Sequence, residues 1–380
     1  MEEFNLWDLE RINIRVKKGF LKEINNELFK VFKTKNNVYK SLFEKKEISW
    51  GSFKNMLKPS HVKSFFVPWG VYQKICDKVN ISKENLQKNV IAYKTSGGTN
   101  YISNPILPIK INPIFHMIFA HNIGDGTVID PKRGRLPYFG YRQFDLFYRV
   151  GYIKKLESIF GDIVFLKEKY FEKSTRPYCP PAISTLFFKY YNLDVNGFKS
   201  LTSRISEKIV DKDSLLAVLI AFIIDEGHID STQITIVLKN KVLVEDLKDI
   251  CNKLGYESKV TYRNNETYQD YGYLNILRSG MKKFLQDYRI LNKTYPVIDL
   301  GWKGEKIINS LRIYDRPIRR VKGNSDFILE ILKKEFLSVN QIAAKINMTR
   351  QGVRYHIHNL LKANKIRLIN GNTDNWIYGV

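Results

Sequence analysis

Two short apolar stretches that each end in an acidic residue and a glycine constrain the fold of this chain more than any other feature. Residues 118–126 are IFAHNIGDG and residues 219–227 are LIAFIIDEG. Aligned on their last glycine, the two stretches place Asp125 and Glu226 at the same position. Each motif therefore predicts a buried helix that ends next to a carboxylate.

A longer repeat surrounds the two motifs. Each apolar helix is followed by two strand-like segments, a helix, two more strand-like segments and a final helix. This order predicts two αββαββα halves, at residues 106–205 and 206–315. Small residues that share one helix face recur four positions apart in both motifs, at Ala120 and Gly124 and at Ala217 and Ala221. Because small residues let two backbones approach closely, we expect the motif helices to pack together.

The acids at the two helix ends are candidate metal ligands. The unpaired carbonyls at a helix C-terminus disfavour a carboxylate there by roughly 0.3–1 kcal/mol. A divalent cation offsets this cost, and Mg²⁺ binds carboxylate oxygens together with water and phosphate oxygens. We therefore predict that Asp125 and Glu226 bind Mg²⁺. The alternative is a pair of ordinary core helices, closed by glycine, whose acids point into solvent.

With these motifs and the repeat, residues 106–310 resemble the LAGLIDADG homing endonucleases in their single-chain, two-motif form. The resemblance implies that the motif helices form the interface between two pseudosymmetric halves, and that antiparallel sheets form a saddle over the DNA major groove. It also implies a monomer with internal pseudo-two-fold symmetry. Asp125 and Glu226 occupy the positions of the catalytic, metal-binding acids.

The motifs depart from the family pattern at several positions. Ala120 and Ala221 replace a common glycine, and Asn122 is polar where an apolar residue is expected. Asp225 stands where a small residue is common, so it competes with Glu226 as a ligand. Glu226 is favoured because it directly precedes Gly227.

The resemblance also implies a basic residue near each metal. In the second half the candidates are Lys239, which we take as the catalytic residue, and Lys241. In the first half they are Lys167 and Lys169. Two histidines near the motifs, His121 and His228, either contact phosphate or serve as hydrogen-bonded structural residues.

The charge of the chain predicts a polyanionic partner. Lys and Arg total 62 against 38 Asp and Glu, which gives a formal net charge of +24. Double-stranded DNA is the first candidate, and a lysine-rich solvated surface is the alternative. The three cysteines form no CxxC pair, and the N-terminal residues lack the apolar core of a signal peptide. These observations predict a cytoplasmic protein without a membrane segment.

Regions of different composition flank the repeat. The sequence of residues 1–105 predicts a mainly helical region, which is either a helix-turn-helix or an ordinary helical subdomain. Residues 320–380 contain three helical segments and a β-hairpin, an order that resembles the winged helix-turn-helix of prokaryotic regulators. The exposed side of its last helix is predicted to bind DNA through Arg350, Gln351, Arg354, Tyr355 and His358.

Together these features predict an α+β chain that acts as a site-specific, metal-dependent endonuclease on double-stranded DNA. Two other functions are compatible with the same residues. One is a DNA-binding transcription regulator that keeps the LAGLIDADG scaffold without catalysis, and the other is an RNA maturase-like factor. Metal-dependent nicking of DNA separates the first function from both alternatives.

Overall fold

The fold combines helices with small antiparallel sheets, as the α+β prediction requires. A computed structural model of the chain describes residues 2–43, 48–61, 65–98, 100–130, 135–165, 177–199, 201–263, 270–315, 323–370 and 377–380. The chain divides into two compact units, Met1–Ile307 and Ile308–Val380. None of the described helices is long and apolar enough to cross a membrane.

The N-terminal region of the first unit contains both helices and strands. Its elements are β1 (Glu3–Phe4), β2 (Ile12–Val16), α1 (Lys18–Phe32), α2 (Lys35–Leu42), α3 (Trp50–Met56), β3 (Val67–Pro68), α4 (Trp69–Asp77), α5 (Lys83–Lys88), β4 (Val90–Thr95), β5 (Tyr101–Ser103) and β6 (Ile109–Lys110).

This region also contains an antiparallel sheet that the prediction of a mainly helical segment did not include. Beside the five described helices, β2 pairs with β3 and β4, and β4 pairs with β5. Ile12 of β2 lies opposite Thr95 of β4, far along the chain. The strands are short and their partners are distant in sequence, so local patterning did not predict the sheet.

The segment with the first motif follows. Its elements are α6 (Pro113–Ile123), β7 (Gly126–Ile129), β8 (Tyr138–Tyr141), α7 (Leu146–Phe160), β9 (Asp162–Val164) and α8 (Pro181–Tyr191). β7 pairs with β8, and the backbone of residues 177–179 hydrogen-bonds to β8 on its other side.

One strand of this segment joins a different sheet from the predicted one. β9 pairs with β5, which extends the N-terminal sheet to the order β3-β2-β4-β5-β9. The pairing buries Ile163 opposite Ile102. The edge of β5 is a partner that the repeat pattern did not reveal, because the order of elements along a chain does not determine which strands pair.

The segment with the second motif has the order of elements that the sequence predicts. It contains α9 (Lys212–Glu226), β10 (Gly227–Ile229), β11 (Gln233–Leu238), α10 (Lys241–Leu254), β12 (Ser258–Arg263), β13 (Tyr271–Leu277), α11 (Arg278–Thr294) and α12 (Trp302–Asp315). The strands form an antiparallel sheet of order β10-β11-β13-β12.

The motif helices α6 and α9 form the centre of the first unit. They pack against each other more extensively than any other pair of described elements. Every residue of α6 is buried, as is α9 from Ser214 to Ile224. A helix that is apolar all round is stable in water only when it is buried on all sides, so the composition of both motifs accounts for their central position.

The second unit has its own hydrophobic core. Its elements are α13 (Asn324–Lys334), β14 (Leu337–Ser338), α14 (Val339–Lys345), α15 (Arg350–Lys362), β15 (Arg367–Asn370) and β16 (Ile377–Gly379). The strands form an antiparallel sheet of order β14-β16-β15. Ser338 and Thr349 are the N-caps of α14 and α15, as predicted, and each side chain accepts a backbone N–H of the helix it begins.

Candidate active site at the ends of the motif helices

The two predicted ligands occupy equivalent positions at the ends of α6 and α9. Asp125 and Glu226 each precede a glycine that begins a strand, Gly126 of β7 and Gly227 of β10. A Cβ at Gly126 would lie 2.1 Å from the carbonyl oxygen of Asn122, and a Cβ at Gly227 would lie 2.4 Å from that of Ile223. Both glycines are therefore required because the chain folds back over the last turn of its own helix.

Asp125 is partly buried and its side chain is oriented by a neighbour. Gln143 Nε2 donates to Oδ2 of Asp125 over 2.8 Å. The backbone carbonyl of Asp125 accepts a hydrogen bond from the backbone N–H of Arg142. Burial, together with the negative charges of Asp225 and Glu226, raises the pKa of Asp125 to about 8. Three carboxylates therefore lie close enough to repel one another.

Glu226 shares this electrostatic environment. Burial raises its pKa, the charge of Asp225 adds to the effect, and the ammonium group of Lys303 opposes it. Its side chain belongs to the last residue of α9, where unpaired helix carbonyls add partial negative charge. Both predicted ligands are thus carboxylates held in a region of excess negative charge.

Asp225, the alternative ligand, points into the interior. Its side chain has 0% exposure, and its Oδ2 lies 2.9 Å from Nδ1 of His121. The hydroxyl of Tyr141 donates to its Oδ1 over 2.6 Å. Its pKa is raised to about 7, because the effect of burial exceeds the opposing effect of hydrogen bonds from Tyr141 and from the Asp125 backbone. Because its oxygens already accept these bonds, Asp225 is less suited than Glu226 to bind a metal.

A buried lysine that the sequence analysis missed completes the site. Lys303, near the start of α12, donates to the carbonyl oxygens of Ile223, Ile224 and Gly227 over 2.8, 2.6 and 2.9 Å. Burial lowers its pKa, whereas the charges of Asp225, Asp125 and Glu226 raise it. The segment GWKGEK around it carries no motif, so only the tertiary contact identifies this residue.

A divalent cation at this site would be bound by few protein side chains. No group of three His, Cys, Asp or Glu side chains among the described residues is arranged to hold a metal. Mg²⁺ commonly binds one or two carboxylates and completes its octahedron with water and substrate phosphates. Two carboxylates that repel each other in a partly buried site fit this mode, since a cation removes the repulsion.

Two of the predicted basic residues have other contacts, and two fall outside the described residues. Lys239 is exposed, and its ammonium lies 5.5 Å from the ring centroid of Tyr271. Lys241 pairs with Asp270 over 2.7 Å. Lys167 and Lys169 fall outside the described residues. The cations that lower the pKa of Asp125 are Lys303 and Arg142.

Helix α15 presents the residues predicted to bind DNA. Its apolar side, formed by Val353, Ile357 and Leu360, is buried in the core of the second unit. The opposite side exposes the five predicted side chains, Arg350, Gln351, Arg354, Tyr355 and His358. The surface therefore offers guanidinium, amide, phenol and imidazole groups along one helix face.

Comparisons with known proteins identify weak structural similarity alone. No protein-family model matches the chain, and no curated protein is similar to it in sequence. Solved structures of the homing endonuclease I-DmoI are similar in part. A structure of its mesophilic variants shares 16% identity with a TM-score of 0.34, covering 46% of this chain and 93% of that one.

A structure of I-DmoI in complex with DNA and Ca shares 16% identity with a TM-score of 0.35, covering 52% of this chain and 97% of that one. A complex of I-DmoI with DNA and Mn shares 15% identity with a TM-score of 0.28, over 45% of this chain and 93% of that one. Identity and superposition at this level do not assign a function to this chain.

Proposed function

We propose that the chain is a metal-dependent endonuclease that cuts double-stranded DNA at specific sites. The observation that carries this proposal is that Asp125 and Glu226 lie at the ends of two packed helices, where the charge of Glu226 helps to raise the pKa of Asp125. A protein that only binds DNA gains nothing from a carboxylate cluster that would repel phosphate. A nuclease needs such a cluster to hold divalent cations at the scissile bond.

In this mechanism each acid has a defined task. Asp125 and Glu226 would hold Mg²⁺ through their carboxylates, and Gln143 keeps Asp125 in one orientation. Such a cation, when bound, would supply positive charge that favours ionisation of a water molecule and departure of the phosphodiester oxygen. Lys303 retains the carbonyls of the last turn of α9 and so fixes the backbone that carries Glu226.

A basic side chain near each acid would contact the scissile phosphate. Arg142 is a candidate of this kind, because it is exposed, its backbone bonds to Asp125 and its charge lowers the pKa of that acid. Lys239 remains a prediction for the second half.

We also propose that the two motif segments are pseudosymmetric halves. The close approach of Gly126 and Gly227 to the residue four positions earlier supports this symmetry, as does the αββαββα order after the second motif. The sheet of each half would then lie on DNA, with the acids at its centre.

The second unit is proposed to be a winged helix-turn-helix. The order of its three helices and three described strands, together with the exposed polar side of α15, supports this assignment. In this arrangement α15 would enter a major groove, where Arg and Gln side chains reach guanine and adenine edges.

The experiment is cleavage of a supercoiled plasmid library with and without Mg²⁺. We expect metal-dependent linear product from the full chain, and a loss of more than about 100-fold for Asp125→Asn and Glu226→Gln with DNA affinity retained, since even outer-shell changes cost 10–100-fold. Asp213→Asn is the matched control, because Asp213 is an exposed acid at the opposite end of α9. Equal cleavage by Asp125→Asn and by the control would contradict the assignment of the site.

One observation favours the DNA-binding regulator as a second candidate. The ammonium of Lys303 already lies near all three carboxylates and offsets part of their charge without a metal. For a regulator we expect a footprint at a promoter, with no nicking when Mg²⁺ or Mn²⁺ is added. The plasmid experiment separates the two functions directly.

A further inference from the structure

Asp225 is the one buried carboxylate of the site that the proposed mechanism does not use. In the alignment of the motifs it stands opposite Gly124, one residue before the predicted ligand in each case. Its side chain is fully buried. A fully buried carboxylate at a helix interface is costly unless several donors surround it, so its partners indicate its role.

Several hydrogen-bonding partners of Asp225 come from the segment that carries the first motif. His121 Nδ1 lies 2.9 and 3.1 Å from the two oxygens of Asp225, and Tyr141 Oη donates over 2.6 Å. Burial lowers the pKa of His121 well below its usual range, so its ring is held next to Asp225 in the neutral form. The backbone N–H of Asp125 also donates to Asp225.

These donors surround the backbone of Asp125. His121 lies one helical turn before it on α6, and Tyr141 pairs with Gly126, directly after it, in the β7–β8 ladder. Asp225 therefore reaches across the helix pair and contacts residues on both sides of Asp125. These contacts fix the backbone where the chain leaves α6.

Gly124 makes this contact sterically feasible. A Cβ at that position would lie 2.9 Å from Oδ2 of Asp225 and 3.5 Å from its Cβ. The two equivalent positions are thus complementary, one carrying a carboxylate and the other no side chain.

The backbone at the end of α9 is fixed in a different way. There the carbonyl oxygens of Ile223, Ile224 and Gly227 accept hydrogen bonds from the ammonium of Lys303, which belongs to α12. One helix end is held by a carboxylate from the opposite motif, and the other by a cation from outside both motifs.

We propose that Asp225 is a positioning residue for Asp125 alone, so that the two acid centres of the pair are unequal. This inference rests on the proposed function, because it concerns how the two acids of that site hold their cations. Loss of the contact would loosen the Asp125 centre and leave the Glu226 centre in place.

The test replaces Mg²⁺ with Fe²⁺ and adds hydrogen peroxide and ascorbate. Bound Fe²⁺ reduces the peroxide to hydroxide and a hydroxyl radical, ascorbate returns the Fe³⁺ formed to Fe²⁺, and the radical cuts the nearby backbone. Mass spectrometry of the full chain gives the ratio of cuts at residues 124–126 to cuts at 225–227. Asp125→Asn and Glu226→Gln calibrate the two extremes of the ratio. We expect Asp225→Asn to lower it about 10-fold, in the direction of Asp125→Asn, as for other outer-shell partners.

Two further variants guard against general loss of folding. Tyr141→Phe removes one donor to Asp225 and should lower the ratio by a smaller factor in the same direction. Asp287→Asn is the matched control, because Asp287 is also a buried acid that accepts a tyrosine hydroxyl, that of Tyr256. It should leave the ratio within about twofold of the wild-type value.

Strand-resolved cleavage of the plasmid gives an activity readout. Asp225→Asn should slow the same strand that Asp125→Asn slows, so that nicked circles accumulate. An unchanged ratio, or equal loss of cutting at both segments, would overturn the inference while the proposed function stands. Absence of iron-dependent cuts at both segments in the wild type would overturn the proposed function and this inference with it.

Discussion

At the scale of single residues, the site depends on one position where a side chain is missing. Gly124 does not occupy the left-handed region that favours glycine, since its φ is −70°. It is needed because the carboxylate of Asp225 occupies the space that a Cβ would take. The buried carboxylate of Asp225 is therefore accommodated by Gly124 at the end of the facing helix.

Gly124→Ala should destabilise the fold by about 1–3 kcal/mol, because extra atoms in a packed interior force neighbours to shift. The free energy of unfolding in urea measures the loss. Gly19→Ala is the control, since Gly19 lies in α1 with nothing within 4 Å of an added Cβ. That change should be neutral or stabilise by up to about 1 kcal/mol. Equal effects of the two substitutions would contradict the steric account.

The protonation of Asp125 also makes stability depend on pH. Because burial raises its pKa from 3.8 to about 8, the folded chain holds a proton within this window that the unfolded chain has released. Stability should therefore fall as pH rises through the window. Burial raises the pKa of Glu226 and Asp225 too, so Asp125→Asn should reduce the slope without abolishing it.

Urea unfolding across this pH range measures that slope with and without Mg²⁺. Metal binding requires the carboxylate form, so added Mg²⁺ should stabilise the chain more at the alkaline end than at the acidic end. An identical slope in Asp125→Asn would show that Asp125 is not the group that titrates.

At the scale of elements, α9 is capped at its C-terminus by a residue from another helix. Its last carbonyls accept hydrogen bonds from the ammonium of Lys303, whose positive charge offsets the negative charge of the acids at the end of the helix. Lysine often fills this role at a helix C-terminus, but usually from the last turn of the same helix. Here α12 supplies it, so that the end of α9 depends on a later element of the chain.

Lys303→Met should lower the free energy of unfolding by about 1.5–3 kcal/mol, the range for hydrogen bonds to charged groups. Lys306→Met, three residues further along α12 and exposed, should change it by less than about 0.5 kcal/mol. Urea denaturation compares the two variants. Similar losses in both would show that the loss of a positive charge, rather than the buried cap, is responsible.

At the scale of the whole molecule, positive charge is spread through both units. The formal net charge of +24 predicts DNA affinity that falls steeply with salt. We propose that the exposed side of α15 adds groups that read base edges, in contrast to lysines that contact phosphates at any sequence. The two contributions can be separated by measuring affinity for specific and non-specific duplexes.

Arg354→Ala should weaken binding to a specific duplex by about 1–3 kcal/mol if its guanidinium reads a guanine. Lys333→Ala is the control in the same unit, because Lys333 is exposed on α13 and pairs with Glu330 over 2.7 Å. It should change affinity less than about twofold. Fluorescence anisotropy at several salt concentrations measures both, and equal losses on specific and random duplexes would exclude base recognition by Arg354.

Local patterns in the sequence determined most of the helices and the location of the acids. The two motifs predict buried helices because an apolar run has only one stable environment, and aligning their glycines identifies Asp125 and Glu226. The N-caps Ser338 and Thr349 are equally local, because a side chain that caps a helix acts within three residues. In each case the physical cause lies within a few positions of the residue itself.

Only the tertiary structure decided which distant groups complete the site. Nothing near Asp225 in the sequence indicates that its carboxylate bonds to His121 and Tyr141 on the other segment. The same holds for Lys303 at the end of α9, and for β9, whose partner is β5. Hydrogen bonds and strand pairs of this kind depend on where packing brings the backbone, and packing is a property of the whole chain.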